Sequence, residues 1–257
     1  MHVATSPDLP AHAVTRAADF GRGRRFMLGR FQPSAPCVSS ERVLRIQGYS
    51  DLTRVRPAIR RAAEEVAMLA MKLSEPSVAY RHVRIRAMFG ETVVLDGGQR
   101  LNCAVFPRAL RDCEEVVPFV LTVGGPISQR VIDFANAGDL LEAVLLETAG
   151  WLCIEDATRQ FKGRLREACL EFGSRITSRL GPGYSYKVNG EICMWRLEDQ
   201  VRIFRLLGEP DELPVSLLSS CAMLPKLSRS GMYGVGPADV TSSASTDDRI
   251  PSKEQCE

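Results

Sequence analysis

The sequence predicts an α+β fold, with a mixed or antiparallel sheet packed against long helices. Three observations carry this. Helical and extended patterns do not alternate as a doubly wound sheet requires. Helical patterns cover residues 127 to 176, broken at Gly138-Asp139, far longer than any extended segment. No internal repeat divides the chain.

The elements follow in order. Ser50-Asp51 precedes a helix whose Val55, Ile59, Ala62, Ala63, Val66, Ala70 and Leu73 share one face. Pro57 fits only its first turn, and Glu75-Pro76 ends it. His82 to Phe89 alternates, with Val83, Ile85 and Ala87 on one side. Gly90-Glu91 separates it from Thr92 to Leu95, and Asp96-Gly97-Gly98 is a turn, so this region reads as β-structure. The apolar run Val116 to Val123 predicts a buried strand, which Pro118 places at an edge or start. Ile127 to Ala137 reads as a helix, with Gly138 as its break and Asp139 as the next N-cap. From Leu140 to Ile176 the pattern gives the main core helix, either continuous or kinked near Gly163. Arg179 to Tyr184 is a loop, Leu197 to Leu207 a helix stopped by Gly208 and Pro210, and Val215 to Leu218 a short strand.

The chain has 257 residues, 45% apolar and 25% charged, the balance of a globular protein. A formal charge of +2 gives no argument for nucleic acid or a membrane surface as partner. No uninterrupted apolar run reaches the roughly 18 residues of a membrane helix. The eight cysteines form no C-x-x-C pair and there are only three histidines, so no metal site is expected. Several cysteines lie among apolar residues and read as small hydrophobes. With no secretory signal in view, a reducing cytoplasm is the expected location. Residues 1–40 carry Arg16, Arg22, Arg24, Arg25 and Arg30 against Asp8 and Asp19. This reads better as a basic extension than as an organelle transit peptide. The ordered domain is expected over 41–236, with a disordered polar tail over 237–257.

Three blocks point to chemistry. In R-L-G-P-G-Y (Arg179 to Tyr184), the arginine offers a fork of donors for a carboxylate and the tyrosine an aromatic face. Gly181 and Gly183 leave the backbone open to a ligand. Such a loop also serves as an ordinary helix-to-strand turn. In L-E-D-Q-x-x-I-F-x-L-L (Leu197 to Leu207), Asp199 and Gln200 read as the solvated face of an amphipathic helix. In M-L-P-x-L-S-x-S-G (Met223 to Gly231), small polar residues suggest a loop after a strand.

Taken together, and in this order, the three blocks resemble the reactivation domain of cobalamin-dependent methionine synthase. V-L-R-I-Q-G-Y (Val43 to Tyr49) resembles that family's N-terminal strand, T-V-G-G (Thr122 to Gly125) its Thr-x-Gly turn, and E-T-A-G-W-L-C-I-E (Glu147 to Glu155) its core helix. The resemblance spans roughly 41–236 and implies a stand-alone member of the superfamily. It implies S-adenosylmethionine as cofactor, bound by Arg179, Gly181, Gly183 and Tyr184. Glu155 would neutralise the ligand's amino group. Cobalamin would come on a partner, since no Asp-x-His-x-x-Gly carrier signature is present. The implied partners are a cobalamin-binding methionine synthase subunit and flavodoxin or a similar electron donor. No protein nucleophile or general base is implied. The family's N-terminal ligand-binding aspartate and its last-strand tyrosine have no counterpart here. An activator of another corrinoid-dependent methyltransferase, or a non-catalytic module that docks on a corrinoid protein, would share these features.

Overall fold

The structure is a computed structural model and describes residues 27–238. The expected tail beyond 238 and most of the basic extension lie outside the described residues. One element forms within the expected extension, the strand Gly29–Phe31 (β1). The helix Ser40–Ile46 (α1) opens the expected domain. The strand expected over Val43 to Tyr49 is thus a helix. Ser39 caps it by accepting from the Arg42 N–H, and Gly48, with φ of +90°, ends it. Val43 and Leu44 face the core together, a helical spacing that strand alternation forbids.

A 3₁₀ turn capped by Asp51 leads to the helix Pro57–Leu73 (α2), with Pro57 in its first position. Its buried residues are Ala62, Ala63, Val66, Ala67 and Ala70, and all but Ala67 are on the face that the sequence places toward the core. Strands Ser77–Tyr80 (β2), Val83–Phe89 (β3), Thr92–Leu95 (β4) and Arg100–Asn102 (β5) follow, with the Asp96–Gly98 turn where expected. A short helix, Phe106–Ala109 (α3), leads to the strand Glu115–Thr122 (β6). Helices Pro126–Ala137 (α4) and Leu140–Leu170 (α5) come next. Gly138 terminates α4 in the left-handed region; Asp139 takes the N-cap position of α5 but makes no side-chain cap bond. The α5 helix passes through Gly163 and stops at Leu170, short of Ile176. Gly173, with φ of +64°, turns the chain, and Ser174–Ile176 becomes a strand (β7). The hairpin Ser185–Val188 (β8) and Glu191–Met194 (β9) precedes the helix Gln200–Leu207 (α6). Short strands Ser216–Leu217 (β10) and Met223–Leu224 (β11) lead to the long strand Ser228–Pro237 (β12).

The described strand pairs are antiparallel. At the sheet's centre β6 pairs with β12 from Glu115↔Val235 to Thr122↔Ser228. On its other edge β6 pairs first with β3 and then with β2, and β1 lies beyond β2. The sheet is therefore antiparallel and backed by long helices, as the α+β class requires.

Two findings correct the sequence reading. Pro118 sits in a central strand, not at an edge. Its carbonyl accepts from the Arg81 N–H at 3.1 Å, so its missing donor faces the junction where β2 gives way to β3. The interrupted ladder there requires no N–H. The segment after Leu227, expected as a loop, is β12.

Both sheet faces are covered, which is why β6 reads as continuous apolar sequence. Val117, Phe119 and Leu121 face the core made by α1, α2 and α5; Val116 and Val120 face the core made by β4, β5, α3 and α6. On the helical side Phe161 of α5 packs against Phe119, Tyr80 and Phe31, with ring centroids 5.2, 5.2 and 6.1 Å away. On the other side Trp195 meets Phe106 edge-on at 5.0 Å.

The Arg179 to Tyr184 loop is stitched to β12 by Leu180 and Met232, which exchange bonds of 2.9 and 2.7 Å. Gly231 makes this possible, because a Cβ there would lie 2.5 Å from the Leu180 carbonyl oxygen. Gly231→Ala is expected to cost about 1–3 kcal/mol, since backbone must move to relieve the overlap. A urea melt checks it; an unchanged midpoint would show that the loop is not held by this approach.

Candidate functional site

Three elements converge where β12 begins: the middle of α5, the 179–184 loop, and the first residues of β12. The turn Thr122 to Gly125 sets that start. The Thr122 hydroxyl donates to the Leu227 carbonyl at 3.1 Å and accepts from the Gly124 N–H at 3.1 Å. Lys226 pairs with Glu147 on α5, fixing the approach segment to the helix. The next residues, Ser228 to Ser230, then run past α5 and the loop.

Arg179 is buried, at 4% exposure. Its guanidinium lies over the Tyr184 ring, 4.5 Å from the centroid, and its Nη1 donates to the Ser230 carbonyl at 3.4 Å. A Cβ on Gly181 would lie 3.1 Å from both Arg179 Nη1 and Tyr184 Cδ2. A side chain at Gly181 would therefore press on both partners of the arginine–tyrosine stack. Gly183, with φ of +82°, turns the chain between them.

The expected backbone cradle is corrected in one respect. The Gly181 N–H donates to the Tyr186 hydroxyl at 2.8 Å, and that hydroxyl donates to the Gly181 carbonyl at 3.2 Å. The Gly183 N–H donates to the Trp195 carbonyl at 2.7 Å. Both N–H groups thus hold the loop's own shape. The loop's contribution to the site is therefore its side chains, the buried guanidinium of Arg179 and the ring and hydroxyl of Tyr184.

Asp199 and Gln200 are also corrected. They are buried, at 7% and 3% exposure, rather than solvated. The Asp199 carboxylate accepts from Trp195 Nε1 at 2.9 Å and pairs with Arg202 at 2.9 Å. Trp195 in turn accepts from Gly183 and donates its N–H to the Tyr184 carbonyl at 3.1 Å. The second sequence block therefore acts on the site through Trp195, as a brace for the loop.

Glu155 lies on α5 and forms an ion pair with Arg229, the second residue of β12. Arg229 Nη1 also donates to Thr158, one turn further along α5, at 3.1 Å. Arg229 is 9% exposed and the Glu155 side chain 49%. The Tyr184 phenol senses the whole group. Burial pushes its pKa up, and Glu155 adds to that. The charges of Arg179 and Arg229 and a hydrogen bond from Arg179 outweigh both, so the net shift is downward.

The structure thus brings Glu155, Arg179, Gly181, Gly183 and Tyr184 into one site. Sequence reasoning missed Arg229 and Thr158. Arg229 stood as an unassigned position between Ser228 and Ser230. Its signal was a lone charge in the run L-S-R-S-G-M-Y, which is conspicuous once that run is a buried strand. Asp156, the neighbouring acid, does not join the site. It is buried and holds the Cys37 N–H at 3.3 Å and the Gln160 amide at 2.8 Å. No group of three or more metal-ligating side chains occurs among the described residues. Burial pushes the Cys103, Cys113 and Cys169 thiols up to about 11 and Cys153 to about 12, as inert packing residues require.

The architecture is that of a helix-backed antiparallel sheet with a charged site at the entry of its central strand. Among solved structures it is similar to the crystal structure of the MetH reactivation domain bound to AdoHcy. The TM-score is 0.56 at 16% sequence identity, with 83% of this chain and 79% of that one covered. The two share the fold. No family model and no curated protein sequence matches the chain. No helix among the described residues is long and apolar enough to cross a membrane.

Two outcomes are expected. In an ultraviolet titration, with Tyr184→Phe to assign the group, Tyr184 ionises below the usual tyrosine range. Arg229→Ala moves it upward, because the change removes a cation and unmasks Glu155, both of which disfavour the phenolate. No movement would mean that Arg229 and Tyr184 do not share a site. Asp199→Ala leaves the buried Trp195 N–H without its acceptor and is expected to cost about 1–3 kcal/mol in a chemical melt followed by tryptophan fluorescence.

Proposed function

We propose that this chain binds S-adenosylmethionine and serves as a stand-alone reactivation component for a cobalamin-dependent methionine synthase whose corrinoid is carried by a partner. The observation that carries the reading is the joint placement of Arg179, Tyr184 and Glu155 at one end of the central strand, in a fold shared with the MetH reactivation domain. The donor set fits the ligand. A guanidinium fork suits the α-carboxylate, the half-exposed Glu155 carboxylate suits the ammonium, and the tyrosine offers a face for a flat ring or a corrinoid.

When bound, S-adenosylmethionine supplies the methyl group that cobalt accepts, coupled to one electron from a flavodoxin-type donor. The chain's own residues bind and orient. Arg179, locked between the Tyr184 ring and the Ser230 carbonyl, holds one end of the ligand at fixed direction. The Trp195–Asp199 brace keeps the loop from relaxing. No proton transfer by the protein is needed, so catalysis is by proximity. Trp151, one helical turn before Glu155, and Leu197, beside Gly183, are 36% and 44% exposed. They give the site an apolar rim for a partner's corrinoid-bearing surface.

Calorimetry with S-adenosylmethionine and S-adenosylhomocysteine tests the reading. Binding is expected, and Arg179→Ala should weaken it about 10- to 100-fold, the value of a charge-assisted contact. A wild-type protein that binds neither compound would sink the proposal. A protein that binds a corrinoid carrier without any dependence on either compound would instead favour a docking module.

A further inference from the structure

The Glu155–Arg229 pair changes the charge of the site. Without Arg229, one guanidinium would face one carboxylate. With it, a second guanidinium joins Arg179 and Glu155 around Tyr184. Arg229 is not a solvated surface charge. It is 9% exposed, set in a central strand, and tied to α5 through both Glu155 and Thr158. A side chain so held cannot swing away without abandoning both partners. The ligand's ammonium must therefore share Glu155 with a fixed guanidinium.

We propose that Arg229 is a specificity-determining residue that weakens the hold of this site on a sulfonium relative to the corresponding thioether. The proposal rests on the S-adenosylmethionine reading given above. At neutral pH the sulfonium compound carries one more positive charge than its demethylated product, and the two are otherwise alike. A guanidinium held in place at low solvent exposure discriminates against the extra cation by Coulomb repulsion. The repulsion has a catalytic sense. Methyl transfer breaks the carbon–sulfur bond and leaves its electron pair on sulfur, while the acceptor's electron pair forms the new bond to carbon. The positive charge on sulfur disappears as the bond breaks. A repulsion present in the bound donor and relieved in the transition state lowers the barrier between them. Arg229 acts as a positioning charge, not as a group that reacts.

Paired binding measurements of S-adenosylmethionine and S-adenosylhomocysteine on wild type, Arg229→Gln and Arg229→Lys test this. The ratio of the sulfonium's Kd to the thioether's is expected to fall about five- to tenfold in the glutamine variant. It should stay near the wild-type value in the lysine variant, which keeps the charge. The wild-type protein gives a second measurement that needs no variant to fold. Added salt screens the part of the repulsion that passes through solvent beside the half-exposed Glu155, so the same ratio falls as ionic strength rises. If both compounds bind but the ratio moves neither with Arg229→Gln nor with salt, Arg229 only packs against Glu155 and the inference is overturned while the binding reading stands. If neither compound binds any of the three proteins, the binding reading fails and the inference fails with it.

Discussion

The ladder between β6 and β12 is the constraint on which the rest of this structure depends. It joins residues 115–122 to residues 228–235 across the middle of the sheet. The helical core rests on one face of this pair and the smaller core on the other. Because β12 is fixed by β6 along eight residues, its entry point is fixed too. Thr122 then places Leu227, and Ser228 to Gly231 follow at defined positions beside α5. The site is a by-product of that register. A slip of one residue would turn Arg229 from α5 toward the opposite face.

Within this frame the loop has little freedom of its own. Leu180 bridges to Met232, Gly181 is held by Tyr186, and Gly183 is held by Trp195. These bonds satisfy the backbone and hold the buried Arg179 side chain and the Tyr184 ring on a rigid base. Preorganisation of this kind is what a binding site gains from a well-bonded loop. A ligand taken up there would meet a loop already ordered by folding.

How much of this could be read from the sequence differs by element. The face of α2 was legible because its small apolar residues recur at helical spacing and its ends carry Pro57 and Pro76. The strand β6 was legible as a buried run, but its central place was not. Pro118 argued for an edge, and only the tertiary gap between β2 and β3 explains how a proline is accommodated. The helix α1 was misread because V-L-R-I-Q can pass for a strand, although Ser39 and Gly48 supplied a cap and a stop. The site was legible as far as its loop and Glu155. Arg229 was not, since its meaning depends on a strand pairing from more than a hundred positions away in sequence. Asp199 was misread for a similar reason. A carboxylate on an amphipathic helix looks solvated until the indole it receives is known.

The position of β12 in the chain has a consequence for how the protein is made. This strand is the last of the described elements in sequence and pairs with β6 in the middle of the sheet. While the chain is being synthesised, β6 has its β2 and β3 neighbours early but keeps its other edge bare until residues 228–237 emerge. That edge is long, apolar and ready to pair, the kind of surface that invites association between unfinished chains. Contacts of such wide sequence separation also form slowly, because loop closure must precede any gain from pairing. The arrangement therefore couples two things that are usually separate. The strand that protects the nascent chain from its neighbours is the same strand that brings the last charge into the site. A chain that has not finished folding has no assembled site to present.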